Sequence, residues 1–157
     1  MVEILNLLKG ANAPSDDQKL FLKAQILSWL IGATDGHAKN YSIFLGRGGQ
    51  FRMTPLYDVL TSQPSLDHRQ IERKQMKLAM SAGDSRHYKI EDIQGRHFVQ
   101  TAERSGLPGS FARDALNDIG SAAENALLTV EKALPKGFPH GIHASVKKAL
   151  LSRIRKI

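Results

Sequence analysis

Apolar residues recur at helical spacing through the first part of the chain. Leu20, Phe21, Ala24, Leu27 and Ile31 follow the three-and-four rhythm, and Leu22, Ile26, Trp29 and Leu30 widen the stripe until it nearly encircles the segment. The pattern predicts a helix from about Asp16 to Ile31, buried on most sides, with Ser15 and Gln18 as a capping box and Gly32 as its stop. With the residues ahead of it, this helix makes a helix-loop-helix entry. The period then changes. Residues 41–45 and 51–54 read as two short strands around the turn Gly46-Arg47-Gly48-Gly49-Gln50, and Pro55 ends the second.

Helical spacing returns in the second half. Residues 61–73, with Pro64 and mixed charge, predict a loop crossing the surface. Residues 77–80 form a short apolar stretch closed by the turn Ser81-Ala82-Gly83-Asp84. A helix is expected over 90–105, with Ile93, His97, Phe98, Thr101 and Ala102 facing inward and Gly106 as its stop. Ser110 is placed to cap the next, which runs to about Leu134 before Pro135. Its apolar side is Ala112, Leu116, Ile119, Ala123, Ala126, Leu127 and Val130. A last helix from about Ile142 carries Val146, Ala149, Leu150 and Ile154. The expected fold is mainly α, a single helical lobe over 1–157 with one or two small β-hairpins, without internal repeat or linker.

The polar residues between the first long helix and the hairpin change the picture. Asp35 is followed after four intervening residues by Asn40, and Asp58 lies beyond the hairpin. A phosphotransfer catalytic loop has that order: a base Asp, an Asn that binds magnesium, and a second Asp that binds magnesium farther along. Mg²⁺ prefers hard oxygen ligands in octahedral geometry and takes few of them from protein. Asn40 offers a carbonyl oxygen and Asp58 a carboxylate, while Asp35 is suited to accept the proton of an attacking hydroxyl. His37 and Lys39, in the same loop, can neutralise phosphate oxygens. Asp and Asn are also ordinary turn formers, so the spacing alone has little specificity. The core helix before it, the hairpin after it and Asp58 supply the rest. The Gly46–Gly49 run follows the catalytic loop and reads as a hairpin turn, not as a phosphate cradle.

These residues carry a family resemblance. The run from Trp29 through Asn40, followed by Leu56-Tyr57-Asp58-Val59, resembles the C-terminal part of HipA-family serine/threonine kinases, and the likeness continues through Lys77-Leu78-Ala79-Met80 and Arg96-His97-Phe98. HipA proteins are the toxins of bacterial HipBA toxin–antitoxin modules. The resemblance implies Asp35 as catalytic base, Asn40 and Asp58 as magnesium ligands, and ATP as co-substrate. It also implies a HipB-like helix-turn-helix antitoxin as partner, possible contact with operator DNA, and a protein substrate of the aminoacyl-tRNA synthetase class. Ala33-Thr34 stands where eukaryotic kinases have His-Arg before the base, and Tyr57-Asp58-Val59 replaces their DFG triplet; both departures suit HipA-like kinases better.

Length and charge set the remaining expectations. The 34 residues before Asp35 read as helices, with no lysine-bearing strand or phosphate loop. The expectation is therefore a C-terminal lobe whose N-terminal nucleotide-binding lobe is absent, inactive without it. The alternative is a non-catalytic antitoxin- or DNA-binding module derived from such a kinase. A net charge of +7 and a pI near 9.8 favour anionic partners. Arg69, Arg73, Lys74 and Lys77 form one basic group and Lys147, Lys148, Arg153, Arg155 and Lys156 another. Neither can be assigned to nucleic acid from sequence, since basic helix faces are usually only solvated. His140 and His143 have the spacing of some metal pairs but no carboxylate near them, and read as structural or exposed. The absence of cysteine excludes disulfides and cysteine zinc sites. No apolar run reaches membrane-span length, and the opening segment has no basic stretch before its apolar residues, so a cytoplasmic location is expected.

Overall fold

The long helix α2 (Pro14–Ile31) organises the protein, because residues all around it are apolar enough to be buried: Phe21, Leu22, Ala24, Ile26, Trp29 and Leu30 all lose contact with water. The computed structural model describes residues 1–157. Helix α2 begins two residues earlier than the hydrophobic pattern predicts. Pro14 occupies the first turn, where its fixed φ suits a helix and its missing N–H costs nothing. The expected capping box does not form, because Ser15 is already inside the helix. The Gln18 amide instead donates to the carbonyl of Leu5 at 2.8 Å, tying α2 to the short helix α1 (Val2–Leu7).

Two small antiparallel sheets flank the helices. Strands β1 (Ile43–Leu45) and β2 (Phe51–Met53) pair in the register Ile43–Met53, Phe44–Arg52 and Leu45–Phe51, shorter by a residue or two than the alternation suggests. Buried Asp17 of α2 holds this hairpin in place by accepting the N–H of Met53 at 2.9 Å. Strands β3 (Lys77–Ala82) and β4 (His87–Lys89) form the second pair, with an irregularity in register between Lys77 and Ala82. The 77–80 stretch is thus a strand, and it extends two residues into the expected turn.

Three further expectations are corrected. Residues 61–73 are not loop throughout: α3 (Gln63–Asp67) lies within them, with Pro64 in its first turn, where proline starts a helix as readily as it ends one. Helix α4 (Gly95–Arg104) starts later than residue 90, because Ile90–Asp92 forms a single 3₁₀ turn and Nδ1 of His97 accepts the N–H of Gln94 at 3.2 Å, fixing the start there. Helix α5 (Gly109–Ala133) is preceded by Pro108, so Ser110 lies within its first turn and does not cap it. At 25 residues α5 is about 37 Å long and outruns the core. Ala112, Leu116, Ala123 and Leu127 are buried, while Ala126 and Val130 near its end face solvent. Helix α6 (His140–Ile154) closes the molecule against α2, α3 and α5.

The core centres on Trp29 and Phe98, whose rings lie 5.5 Å apart, with Leu22, Ile26, Leu78, Ile93 and Leu116 packed around them. The indole N–H of Trp29 donates to the carbonyl of Ile90 at 3.1 Å, so its one polar atom is satisfied. A smaller cluster of Leu5, Leu8, Phe21 and Met53 joins α1, α2 and β2, and Tyr41 meets Phe21 edge-on at 5.0 Å. No helix is long and apolar enough to cross a membrane.

Candidate phosphotransfer site

The end of α2 positions the site. Gly32 adopts the left-handed conformation (φ 74°, ψ 38°), and the N–H groups of Gly32 and Ala33 bond back to Trp29 and Ser28, closing the helix. The chain that returns after Asp58 is stitched to the same end. The N–H of Ser62 donates to the carbonyl of Gly32 at 2.9 Å, the Thr61 hydroxyl donates to that of Ile31, and the hydroxyls of Thr34 and Ser62 lie 2.7 Å apart. The loop carrying Asp35 and the segment carrying Asp58 therefore share one anchor.

Within the loop, Asn40 is the pivot. It is buried, at the end of a 3₁₀ turn (Ala38–Asn40), and its Nδ2 donates to the backbone carbonyl of Asp35 at 2.8 Å. The N–H of His37 reaches the same carbonyl at 2.8 Å. Using its donor half to hold the loop leaves the Oδ1 of Asn40 without a protein partner. A carbonyl oxygen is the half of the amide that magnesium needs. Asp35 itself projects outward with its side chain 71% exposed, and its only close charged neighbour is Nε2 of His37 at 3.5 Å. The Nδ1 of His37 is buried without a hydrogen-bond partner. Lys39 is exposed and has no ion-pair partner.

Asp58 lines a small pocket together with Gly36, Asn40, Tyr41 and Tyr57. It has a positive φ of 55°, a backbone state that Asp tolerates better than most residues. Asn40 and Asp58 are thus brought together, and Asp35 stands one residue from the pocket wall at Gly36. The part that sequence reasoning missed is Tyr57. Its hydroxyl donates to the carbonyl of Lys39 at 3.2 Å and lies 2.8 Å from the Ser42 hydroxyl, binding the Asp58 segment to the turn that presents Asn40. Only its position next to Asp58 could have flagged it. Tyr41, below the loop, has its phenol pushed up by burial and accepts a hydrogen bond from Gln25.

Nowhere do three His, Cys, Asp or Glu side chains cluster closely enough to hold a metal unaided. His140 and His143 share the first turn of α6, and Nε2 of His143 is buried without a partner.

The model of the HipA-like C-terminal domain family matches residues 1–127. The chain belongs to that family. A chain of the Shewanella oneidensis MR-1 toxin–antitoxin complex of HipA, HipB and operator DNA superposes with a TM-score of 0.82. The match covers 98% of this chain and 34% of the other at 24% identity, so it shows a shared fold. The HipA-like domain therefore spans about a third of the length of that relative. The mainly α architecture with two small hairpins, expected from the hydrophobic pattern, is the HipA C-terminal fold.

Proposed function

We propose that this HipA-like domain is the catalytic lobe of a serine/threonine protein kinase that transfers the γ-phosphate of ATP to a protein hydroxyl. The observation that carries the reading is the pairing of Asn40, whose Oδ1 is left free by its structural hydrogen bond, with Asp58 in one pocket beside Asp35. Asn40 Oδ1 and the Asp58 carboxylate would hold magnesium, which would neutralise charge on the phosphate oxygens. Asp35, exposed at its side chain and held at its backbone carbonyl, orients the attacking hydroxyl and accepts its proton. His37 and Lys39 lie in the same loop, where they would neutralise phosphate oxygens.

The nucleotide's base and outer phosphates require a further lobe, and we assign that role to an N-terminal lobe joined to or paired with this one. The family resemblance supports an aminoacyl-tRNA synthetase as target, a HipB-like antitoxin and operator DNA as partners, and a cytoplasmic setting. The Shewanella relative is seen with HipB and operator DNA, which supports the same kind of assembly here.

Calorimetric titration with Mg²⁺–ATP, with and without Asp58→Asn, tests the metal site, and a phosphorylation assay in the presence of the nucleotide-binding lobe tests the reaction. Magnesium-dependent binding that disappears in Asp58→Asn supports the assignment. Antitoxin binding without any phosphotransfer from the two lobes together would replace it with a non-catalytic interaction module.

A further inference from the structure

The two basic groups that lie some eighty positions apart in sequence meet in the fold. Arg69 and Arg73 from the first group, and Lys148, Arg153 and Lys156 from the second, line one groove of about 680 Å³ between α3, the 3₁₀ turns Arg73–Gln75 and Ile90–Asp92, and α6. None of Asp35, Asn40 or Asp58 lines it. Three acids also face the groove, but two are already engaged. Asp67 accepts hydrogen bonds from Ser145 and from Gln63 at 3.0 Å, and Glu72 pairs with Lys74 at 2.8 Å, a lysine that does not line the groove. The third, Glu91, meets Lys156 only through its backbone carbonyl, at 2.8 Å.

The cations are left with charge to spare. Arg69, Arg73 and Lys148 have no carboxylate within ion-pair distance. Arg153 spends its guanidinium on neutral oxygens, the carbonyl of Leu30 at 2.9 Å and the side-chain oxygen of Gln63. Arg69 adopts a positive φ of 57° just after α3. Glycine holds that backbone without strain; what arginine adds there is a cation on the groove wall. The floor between these charges is apolar, made by Leu66, Ile71, Met76 and Ile90.

We propose that this groove binds an acidic peptide segment, with carboxylates on the cationic rim and an aliphatic side chain on the floor. Charge complementarity calls for an anion, and the shape and lining select a peptide over nucleic acid. No aromatic side chain lines the groove, so it lacks the ring platforms on which single-strand sites stack successive bases. The cations line the same concavity as the apolar residues, an arrangement suited to a segment with acidic and aliphatic side chains.

Fluorescence anisotropy of the whole chain with a fluorescein-labelled peptide of alternating glutamate and leucine, at low salt, tests this. Saturable binding is expected, about tenfold or more weaker when Arg73→Glu and Lys148→Glu are combined, and unchanged in Lys132→Glu on α5. Arg73 and Lys148 are exposed, so the pair should fold. If it does not, amide shift mapping on the unaltered protein decides, with perturbations expected along α3, residues 73–75 and α6. No saturable binding, shifts elsewhere, or equal weakening by Lys132→Glu overturns the proposal. Tighter binding of duplex DNA to these same residues also overturns it, in favour of a nucleic-acid site.

Discussion

At the scale of single residues, the site separates chemistry from stability. Asp35 makes no bond through its side chain that the fold depends on, since what the loop uses is its backbone carbonyl. Asp35→Ala is therefore expected to lower phosphotransfer by about 10²- to 10⁴-fold, the usual share of a general base, while the unfolding free energy stays within about half a kcal/mol of wild type. Activity of the two-lobed enzyme and a melting curve check the two halves together; retained activity removes Asp35 from its role. Asn40→Ala should behave differently. It removes one of the two donors to the Asp35 carbonyl, which keeps the N–H of His37, and should cost about 0.5–1.5 kcal/mol as well as activity. The sequence could pick out Asp35, Asn40 and Asp58 as candidates, because order and spacing along a chain survive folding, and the fold brings Asn40 and Asp58 to one pocket. The division of labour within Asn40 was not. Which half of an amide is committed depends on a hydrogen bond that only the closed loop creates.

Among the elements, legibility followed hydrophobic period and failed at boundaries set by tertiary partners. Helix α2 was readable because its apolar residues surround it, and its stop was readable because Gly32 needs a conformation that costs other residues about 1–2 kcal/mol. Helix α3 was hidden, since five residues carry no period and Pro64 reads as a breaker. Gly32→Ala tests how far the end of α2 supports the site. A Cβ there would meet Met76 Cε at 3.0 Å, Gln63 Oε1 at 3.1 Å and Arg153 Nη1 at 3.2 Å, in addition to the unfavourable φ. Urea unfolding should show a loss of about 1–3 kcal/mol. The contact between α3 and α6 has a pH signature of its own. The Ser145 hydroxyl, and then Gln63, hold the Asp67 carboxyl below its ordinary range. A depressed carboxylate adds stability that is complete above its unfolded pKa, near 4, and is lost as pH falls through the folded value. Ser145→Ala should thus lower the urea midpoint at neutral pH, modestly because Asp67 is exposed, and the two proteins should converge in strong acid. A constant difference across that range would mean that Ser145 acts by packing alone.

Across the whole molecule, the contrast is between a dry interior and a wet working face. The mainly α class could be read from the periodicity, but the convergence of two distant basic groups on one groove could not, because it depends on how α6 docks beside α3. The loop from Ala33 to Asn40 is anchored to the interior through the end of α2, and Trp29 stands one turn before that end. Its ring is fully buried against Phe98, and its N–H reaches across to Ile90, so it joins α2, α4 and the Ile90–Asp92 turn in one contact set. Trp29→Phe keeps most of the packing and loses the hydrogen bond, leaving the Ile90 carbonyl buried, at a cost of about 1–3 kcal/mol. Trp29→Ala adds a large cavity and should cost about 3–5 kcal/mol. Because the main core serves helices α2 to α6, secondary-structure and hydrogen-exchange probes should shift together across them in both variants. If exchange speeds up only in the loop from Ala33 to Asn40 while the helices keep their protection, the site and the core are separate cooperative units, and the support attributed to α2 is local.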